Sequence, residues 1–202
     1  MAEPPVAGLL LAAGAGRRYG GPKALVPLDG DPLVLRALRS LTAAGCHPVR
    51  VVVGAAAEQV RALLPDPAQA VTAEDWATGM GASLRAGLTA LETAVETALE
   101  STGHPAAALV HLVDLPWVGP EVLARVAAHA TPETVARAAY DGVPGHPVLL
   151  GRRWWRDVAD AARGDRGARD WLATRGDLTL IECGDLGSGR DVDRPGDLAG
   201  PA

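Results

Sequence analysis

The chain alternates short, continuous apolar runs with longer stretches in which apolar residues recur at helical spacing. Residues 6–13 are uninterrupted apolar sequence ending in glycines, the pattern of a strand buried on both faces of a parallel sheet, and they read as the first, central strand. Asp31 and Pro32 then read as the N-cap and first position of a helix with Leu33, Leu35, Leu38 and Leu41 on its buried face and Gly45 at its end. Residues 49–53 are a second strand, 56–64 a short helix stopped by Pro65, and 70–73 a third strand. In a helix expected over about 81–100, Leu84, Leu88, Leu91 and Val95 line one face.

The second half repeats this alternation. Residues 107–115 are an apolar strand closed by Asp114-Leu-Pro116, and Pro120 with Glu121 opens a helix to about Ala130. Residues 135–140 and 147–150 are short strands around the turn-rich 141–145, residues 154–162 and 168–175 are helical, 178–183 is a strand, and Val192 opens the last segment. Alternating strands and helices imply an α/β protein, a Rossmann-like three-layer α/β/α sandwich with a mostly parallel, twisted sheet. With 202 residues, 48% of them hydrophobic, and no repeat or linker, residues 1–202 read as a single domain.

Composition narrows the partners. A formal charge of −5 argues against a surface for long nucleic acids, so any phosphate must be held locally. Cys46 and Cys183 are too far apart for a disulfide framework or metal-ligand spacing and read as buried thiols of a reducing, cytoplasmic protein. The apolar run at 6–13 is too short to span a membrane, and the residues before it carry Glu3 rather than a basic region.

The candidate chemistry begins in the loop after the first strand, Gly14-Ala-Gly-Arg-Arg-Tyr-Gly-Gly-Pro-Lys23. Ligands of open α/β sheets sit beyond the carboxyl ends of strands. Glycines let backbone N–H groups approach phosphate oxygens, and Arg17 and Lys23 add charge. A Walker loop needs serine or threonine after its lysine, but Ala24 follows Lys23. A dinucleotide fingerprint needs a third glycine three residues after Gly16 and an acid at the end of the next strand, whereas Tyr19 and Gly54-Ala-Ala stand there. A plain surface turn would leave the glycines and cations unexplained.

Leu11-Ala-Ala-Gly-Ala-Gly-Arg17 followed by Gly21-Pro-Lys-Ala-Leu25 resembles the signature of the nucleotidyltransferases typified by the molybdenum cofactor cytidylyltransferases. Trp76-Ala-Thr-Gly-Met-Gly-Ala-Ser-Leu-Arg-Ala-Gly87, Asp114-Leu-Pro116, Gly145-His-Pro-Val148, Gly164-Asp-Arg-Gly-Ala-Arg169 and Asp191-Val-Asp-Arg-Pro-Gly-Asp197 extend the resemblance, in family order, over nearly the whole chain.

The resemblance implies transfer of a nucleoside monophosphate, CMP from CTP, to a phosphorylated acceptor such as molybdopterin, with Mg2+ as cofactor and a molybdenum enzyme as a further partner. It implies that Leu11, Ala12, Ala13, Gly14, Ala15 and Gly16 form the nucleotide-binding loop, that Arg17 neutralises the leaving pyrophosphate and that Lys23 reaches the α-phosphate. Asp114 and Asp193 are the expected magnesium ligands, with Asp191 a competitor for the second place. Gly79 and Ser83 would approach the base or ribose, with helix capping the alternative for Ser83, and His146 would face the acceptor. Trp154 and Trp155 read as packing residues, with stacking on a flat pterin the alternative. The Ala12-Ala13 pair favours a pyrimidine, because guanylyl-transferring relatives tend to carry glycine there.

Tyr19, Leu115, Arg194 and Gly196 depart from the family pattern and leave the acceptor open. Two alternatives stand beside transfer: an oxidoreductase acting on a heteroaromatic compound, as in nicotine blue oxidoreductase-like members of the group, and a non-catalytic cofactor chaperone.

Overall fold

The computed structural model describes residues 5–97 and 103–199. The strands are β1 (Val6–Leu11), β2 (Pro27–Leu28), β3 (Asp31–Pro32), β4 (Val49–Val53), β5 (Ala70–Thr72), β6 (Ala107–Leu112), β7 (Val135–Tyr140), β8 (Val143–Gly151) and β9 (Thr179–Glu182). The helices are α1 (Leu33–Ala43), α2 (Ala57–Leu63), α3 (Met80–Thr97), α4 (Pro120–Ala127), α5 (Trp155–Ala161) and α6 (Arg169–Ala173). Seven strands form one sheet in the order β5-β4-β1-β6-β8-β7-β9, in which only β8 runs antiparallel to its neighbours. The short β2 and β3 pair separately.

All six residues of β1 are buried because both faces of the strand are covered. Val6 and Leu10 point into a core with Val34, Leu38 and Leu41 of α1, Val60 of α2 and Val122 and Leu123 of α4. Ala7, Leu9 and Leu11 point the other way, onto Leu84, Leu88 and Leu91 of α3, Trp155 and Val158 of α5 and Leu172 of α6. This is the expected three-layer sandwich. Close packing of α3 depends on Gly87, where a Cβ would stand 2.5 Å from Leu9 Cδ1. After β1 the chain builds β4 and β5 on one side and returns to β6 on the other, so the crevice beyond the carboxyl end of β1 lies where the strand order reverses.

Several expectations change. Asp31 does not cap α1: it is extended in β3, Pro32 holds the cap position without a side-chain hydrogen bond, and Asp31 Oδ2 accepts from Arg39 Nη2 at 2.5 Å. Asp31 pairs with Leu28 in the β2–β3 ladder and its carboxylate is taken by Arg39, so it is not free to cap the helix. Leu35 is only half-buried, and Val34 and Ala37 complete the buried stripe. β6 stops at Leu112, so Asp114 sits on the turn beyond it. β8 is much longer than expected, taking Gly145, His146 and Pro147 into a hairpin with β7. Asp191 and Asp193 lie in extended chain outside any strand. The expected end of the long helix near Glu100 falls outside the described residues, which end α3 at Thr97.

Both tryptophans of the 154–155 pair are engaged in packing, as expected. Trp155 is 1% exposed and donates Nε1–H to the Leu150 carbonyl at 2.9 Å. Trp154 donates to the Glu133 carbonyl and carries the Arg175 guanidinium 4.1 Å from its ring centroid. Both thiols are buried, and burial pushes the Cys46 pKa up to about 12. Trp155→Ala should lower the unfolding free energy by about 3–5 kcal/mol through cavity formation, read as a lower urea midpoint at unchanged slope.

Candidate active site

The glycine loop is built around Gly16. Its φ is +59°, and its carbonyl accepts from the amides of Tyr19, Gly20 and Gly21 at 3.0, 2.9 and 3.2 Å. A Cβ at Gly16 would stand 1.9 Å from the Gly21 carbonyl oxygen, so only glycine fits. This turn directs the chain back toward β1. Among the described residues, the amides of Gly14, Ala15, Gly16, Arg17 and Arg18 donate to no protein acceptor. Successive free amides beside exposed arginines form a concave site for an anion.

Lys23 enters from a short 3-10 helix, Lys23–Leu25. Its Nζ donates to Asp114 Oδ2 at 2.9 Å and to Asp193 Oδ1 at 2.7 Å, and Arg18 also pairs with Asp193. The main chain holds these groups together. The Val113 amide donates to the Leu11 carbonyl, which ties the Asp114 turn to β1. The Val192 amide donates to the Asp114 carbonyl at 2.9 Å, and its buried side chain fixes the last segment so that Asp191 and Asp193 flank it. Asp197 serves that segment as a loop former, accepting from the amides of Asp193 and Arg194.

One oxygen from each of Asp114, Asp191 and Asp193 can be placed within 4.8 Å of the others. Three carboxylates offering hard oxygen donors suit a divalent cation of the magnesium type. The electrostatics agree. Burial works against the Lys23 ammonium, but the hydrogen bonds and charges of Asp193 and Asp114 outweigh it and raise its pKa. The Lys23 hydrogen bond, and behind it the Lys23 and Arg18 charges, hold the Asp193 carboxyl below the usual range.

Two cavities meet here, of about 460 and 510 Å³. They share Leu11, Arg18, Met80, Leu112, Asp114, Asp165 and Asp193. The first is lined by Ala13, Gly14, Ala15, Gly16, Arg17, Lys23, Gly79 and Ser83, all expected from the sequence. Ala12 is set back, with its methyl in the opposite core and its amide bonded to the Val52 carbonyl. Ser83 lies inside the first turn of α3 rather than capping it, and the residue is 6% exposed on the wall of the first cavity. His146 lines only the second cavity. Burial, with the charges of Arg137, His111 and Arg169, lowers its pKa to about 3, so it presents a neutral imidazole.

The sequence did not single out Trp76, Arg18, Asp165, Arg137 or Arg169. Trp76 closes the first cavity over Gly54, where a Cβ would lie 2.5 Å from the Trp76 Cγ. The ring therefore covers the end of β4, where a ribose-binding acid of a dinucleotide site would stand. Gly79, with φ +122°, and Gly81 let α3 approach the backbone of residues 163–165, with would-be Cβ distances of 2.4 and 2.7 Å. That approach brings Asp165 to both cavities and Arg169 to the second. Trp76, Asp165 and Arg169 stood within motif stretches already quoted, whereas Arg137 carried no such signal.

A mostly parallel sheet with a free-amide loop, a lysine and converging aspartates beyond its central strands defines an NTP-transferase type of α/β domain. The sequence profile of the MobA-like NTP transferase domain matches residues 8–179, and the chain belongs to that family. It is 38% identical over 201 residues to the nicotine blue oxidoreductase of Paenarthrobacter nicotinovorans, covering 94% of this chain and 93% of that one. A 33-residue segment, 16% of this chain and 17% of the relative, is 61% identical to the molybdenum cofactor guanylyltransferase of Rhodobacter capsulatus. Among solved structures, Rv0371c of Mycobacterium tuberculosis superposes with a TM-score of 0.76 at 24% identity, covering 98% and 97% of the two chains. A further structure of Rv0371c is a complex with manganese, with a TM-score of 0.68 at 23% identity over 88% of each chain.

Removing the bridging lysine should expose the repulsion it offsets. Lys23→Met in chelator should lose roughly 1–3 kcal/mol of stability, because two partly buried carboxylates lose their partner. Millimolar Mg2+ or Mn2+ should then raise the urea midpoint of the variant more than that of the wild type.

Proposed function

We propose that this chain, acting as a single domain over residues 1–202, is a magnesium-dependent nucleotidyltransferase that transfers CMP from CTP to a phosphorylated acceptor of the molybdopterin class. The observation that carries this reading is the placement of Lys23, Asp114 and Asp193 where the two cavities meet, with the free-amide loop opening into the first. In the reaction, a phosphate oxygen of the acceptor attacks the α-phosphorus, a new P–O–P linkage forms, and the α–β bridging bond breaks with its electron pair leaving on pyrophosphate.

Two anions must approach each other in that step. The amides of residues 14–18 and the Arg17 guanidinium would hold the triphosphate tail and receive the charge gathering on pyrophosphate. Lys23, at the junction, would exchange carboxylate for phosphate partners and stabilise the crowded α-phosphate. Asp114 and Asp193, with Asp191 adjoining, would hold a magnesium ion, which when bound offsets phosphate charge. Rv0371c, which shares this fold, has been solved in complex with manganese, in keeping with a divalent ion.

The pyrimidine preference rests on the Ala12-Ala13 pair, where guanylyl-transferring relatives tend to carry glycine, and Ala13 lines the first cavity. The Rhodobacter guanylyltransferase segment favours guanine instead, so the base is a point for experiment. Ser83, on the wall of the first cavity, would hydrogen-bond the sugar or base. The molybdopterin class of acceptor follows from the same guanylyltransferase relative, and a molybdenum enzyme would receive the product. The unpaired buried thiols fit a cytoplasmic setting, and among the described residues no helix is long and apolar enough to cross a membrane.

A second reading, oxidation or reduction of a flat heteroaromatic compound, is favoured by the near full-length likeness to nicotine blue oxidoreductase. Trp76 covering the ribose-acid position speaks against a dinucleotide in this crevice.

Pyrophosphate release should separate these readings when the protein is incubated with each of the four triphosphates, Mg2+ and molybdopterin. CTP should turn over fastest, and Lys23→Ala and Asp114→Asn should each lower kcat by about 10²–10³. Release with no triphosphate, together with consumption of NADH or NADPH on a heteroaromatic substrate, would reverse the assignment.

A further inference from the structure

The second cavity contains a cation that the chemistry above does not use. Arg137, on β7, is half-buried and lines this cavity. Its Nε donates to the Gly145 carbonyl at 2.9 Å, and among the described residues its two terminal nitrogens have no protein acceptor and pair with no carboxylate.

The anchor is well built. The β7–β8 pairing shifts register between Arg137 and Ala139, an irregularity of the kind that re-aims side chains beside functional sites. Gly145 must be glycine, because a Cβ would meet the Tyr140 ring at 2.8 Å, and the Tyr140 hydroxyl fixes the next residue by donating to the His146 carbonyl at 2.8 Å. Arg169 lines the same cavity without an ion pair, whereas neighbouring Arg166 is engaged by Asp170 at 3.2 Å. A guanidinium partly withdrawn from water near a second cation is disfavoured, and an anion in the cavity would offset both charges. Burial and the Arg169 charge both lower the pKa of Arg137, in keeping with a missing counter-charge.

We propose that Arg137, assisted by Arg169, binds the phosphate group of the acceptor, a statement that rests on the transferase reading for the acceptor's identity. The planar fork left free by the Nε anchor suits two phosphate oxygens, and the neutral His146 adds one hydrogen bond without charge. The phosphate would then lie in the cavity that adjoins Lys23 and the aspartates, on the side away from the triphosphate loop.

Methyl phosphate is a suitable probe. It would be titrated into the full-length protein while the arginine Nε–H signals are followed by NMR, alongside calorimetry with Mg-CTP. The Arg137 signal should move on titration. Arg137→Gln should weaken methyl phosphate binding at least about tenfold, Arg169→Gln should weaken it about threefold or more, and Arg137→Lys should recover part of the loss, all with CTP affinity unchanged. Arg169 is exposed, so its variant provides a test should Arg137→Gln misfold. Absence of methyl phosphate binding to the wild type, affinity unaltered in both glutamine variants, or a parallel loss of CTP affinity would overturn the proposal. Arginine-dependent methyl phosphate binding in a protein that releases no pyrophosphate would keep this anion site and refute the transferase reading.

Discussion

The site depends on one electrostatic constraint: two carboxylates converge at the ends of buried strands and need a cation between them. Asp114 comes from the turn after β6 and Asp193 from the last segment, and Lys23 comes from the loop after β1. The lysine satisfies both acids in the ligand-free arrangement. Its bonds span 91 and 170 residues of sequence, so this one ammonium links the start, middle and end of the chain. On the proposed transferase reading, a divalent ion would compete for the same oxygens and phosphate for the same ammonium, so that substrate and metal would enter by exchanging partners with groups already charged.

The fold supplies the place for that exchange. Because β1 is followed on one side by β4 and on the other by β6, the loops at their carboxyl ends diverge and leave a crevice. The tightly packed α3, held to the sheet at Gly87, brings Ser83 and Gly79 to one wall, while the β7–β8 hairpin brings Arg137 and His146 to the other. The two cavities thus lie side by side with Asp114 and Asp193 shared between them.

Much of this was legible in the sequence where the signal is local. Continuous apolar runs marked β1, β4 and β6, and the glycine loop with Arg17 and Lys23 lies within a dozen residues. Local rules failed where pairing competed with them. Asp31 looked like a cap, but strand pairing with Leu28 and the ion pair with Arg39 engage it instead. The hairpin strand β8 runs through Pro144 and Gly145, which read as turn residues, because pairing with β7 outweighs their local preference. Distant relations were the hardest to see. Nothing in the sequence showed that Asp191 and Asp193 flank a buried valine tied to Asp114, or that Arg137 faces a cavity, since both follow from how the last strands and segment dock.

The account's central claim is that the first cavity is a nucleoside triphosphate site whose affinity depends on a metal held by Asp114 and Asp193. Calorimetric titration of CTP, GTP, ATP and UTP with and without Mg2+, on the wild type and Asp114→Asn, tests it most directly. The wild type should prefer one triphosphate and bind it more tightly with Mg2+, and the substitution should remove most of that metal dependence. Equal affinity for all four, indifferent to metal and to the substitution, would contradict both the metal assignment and the reading of the cleft.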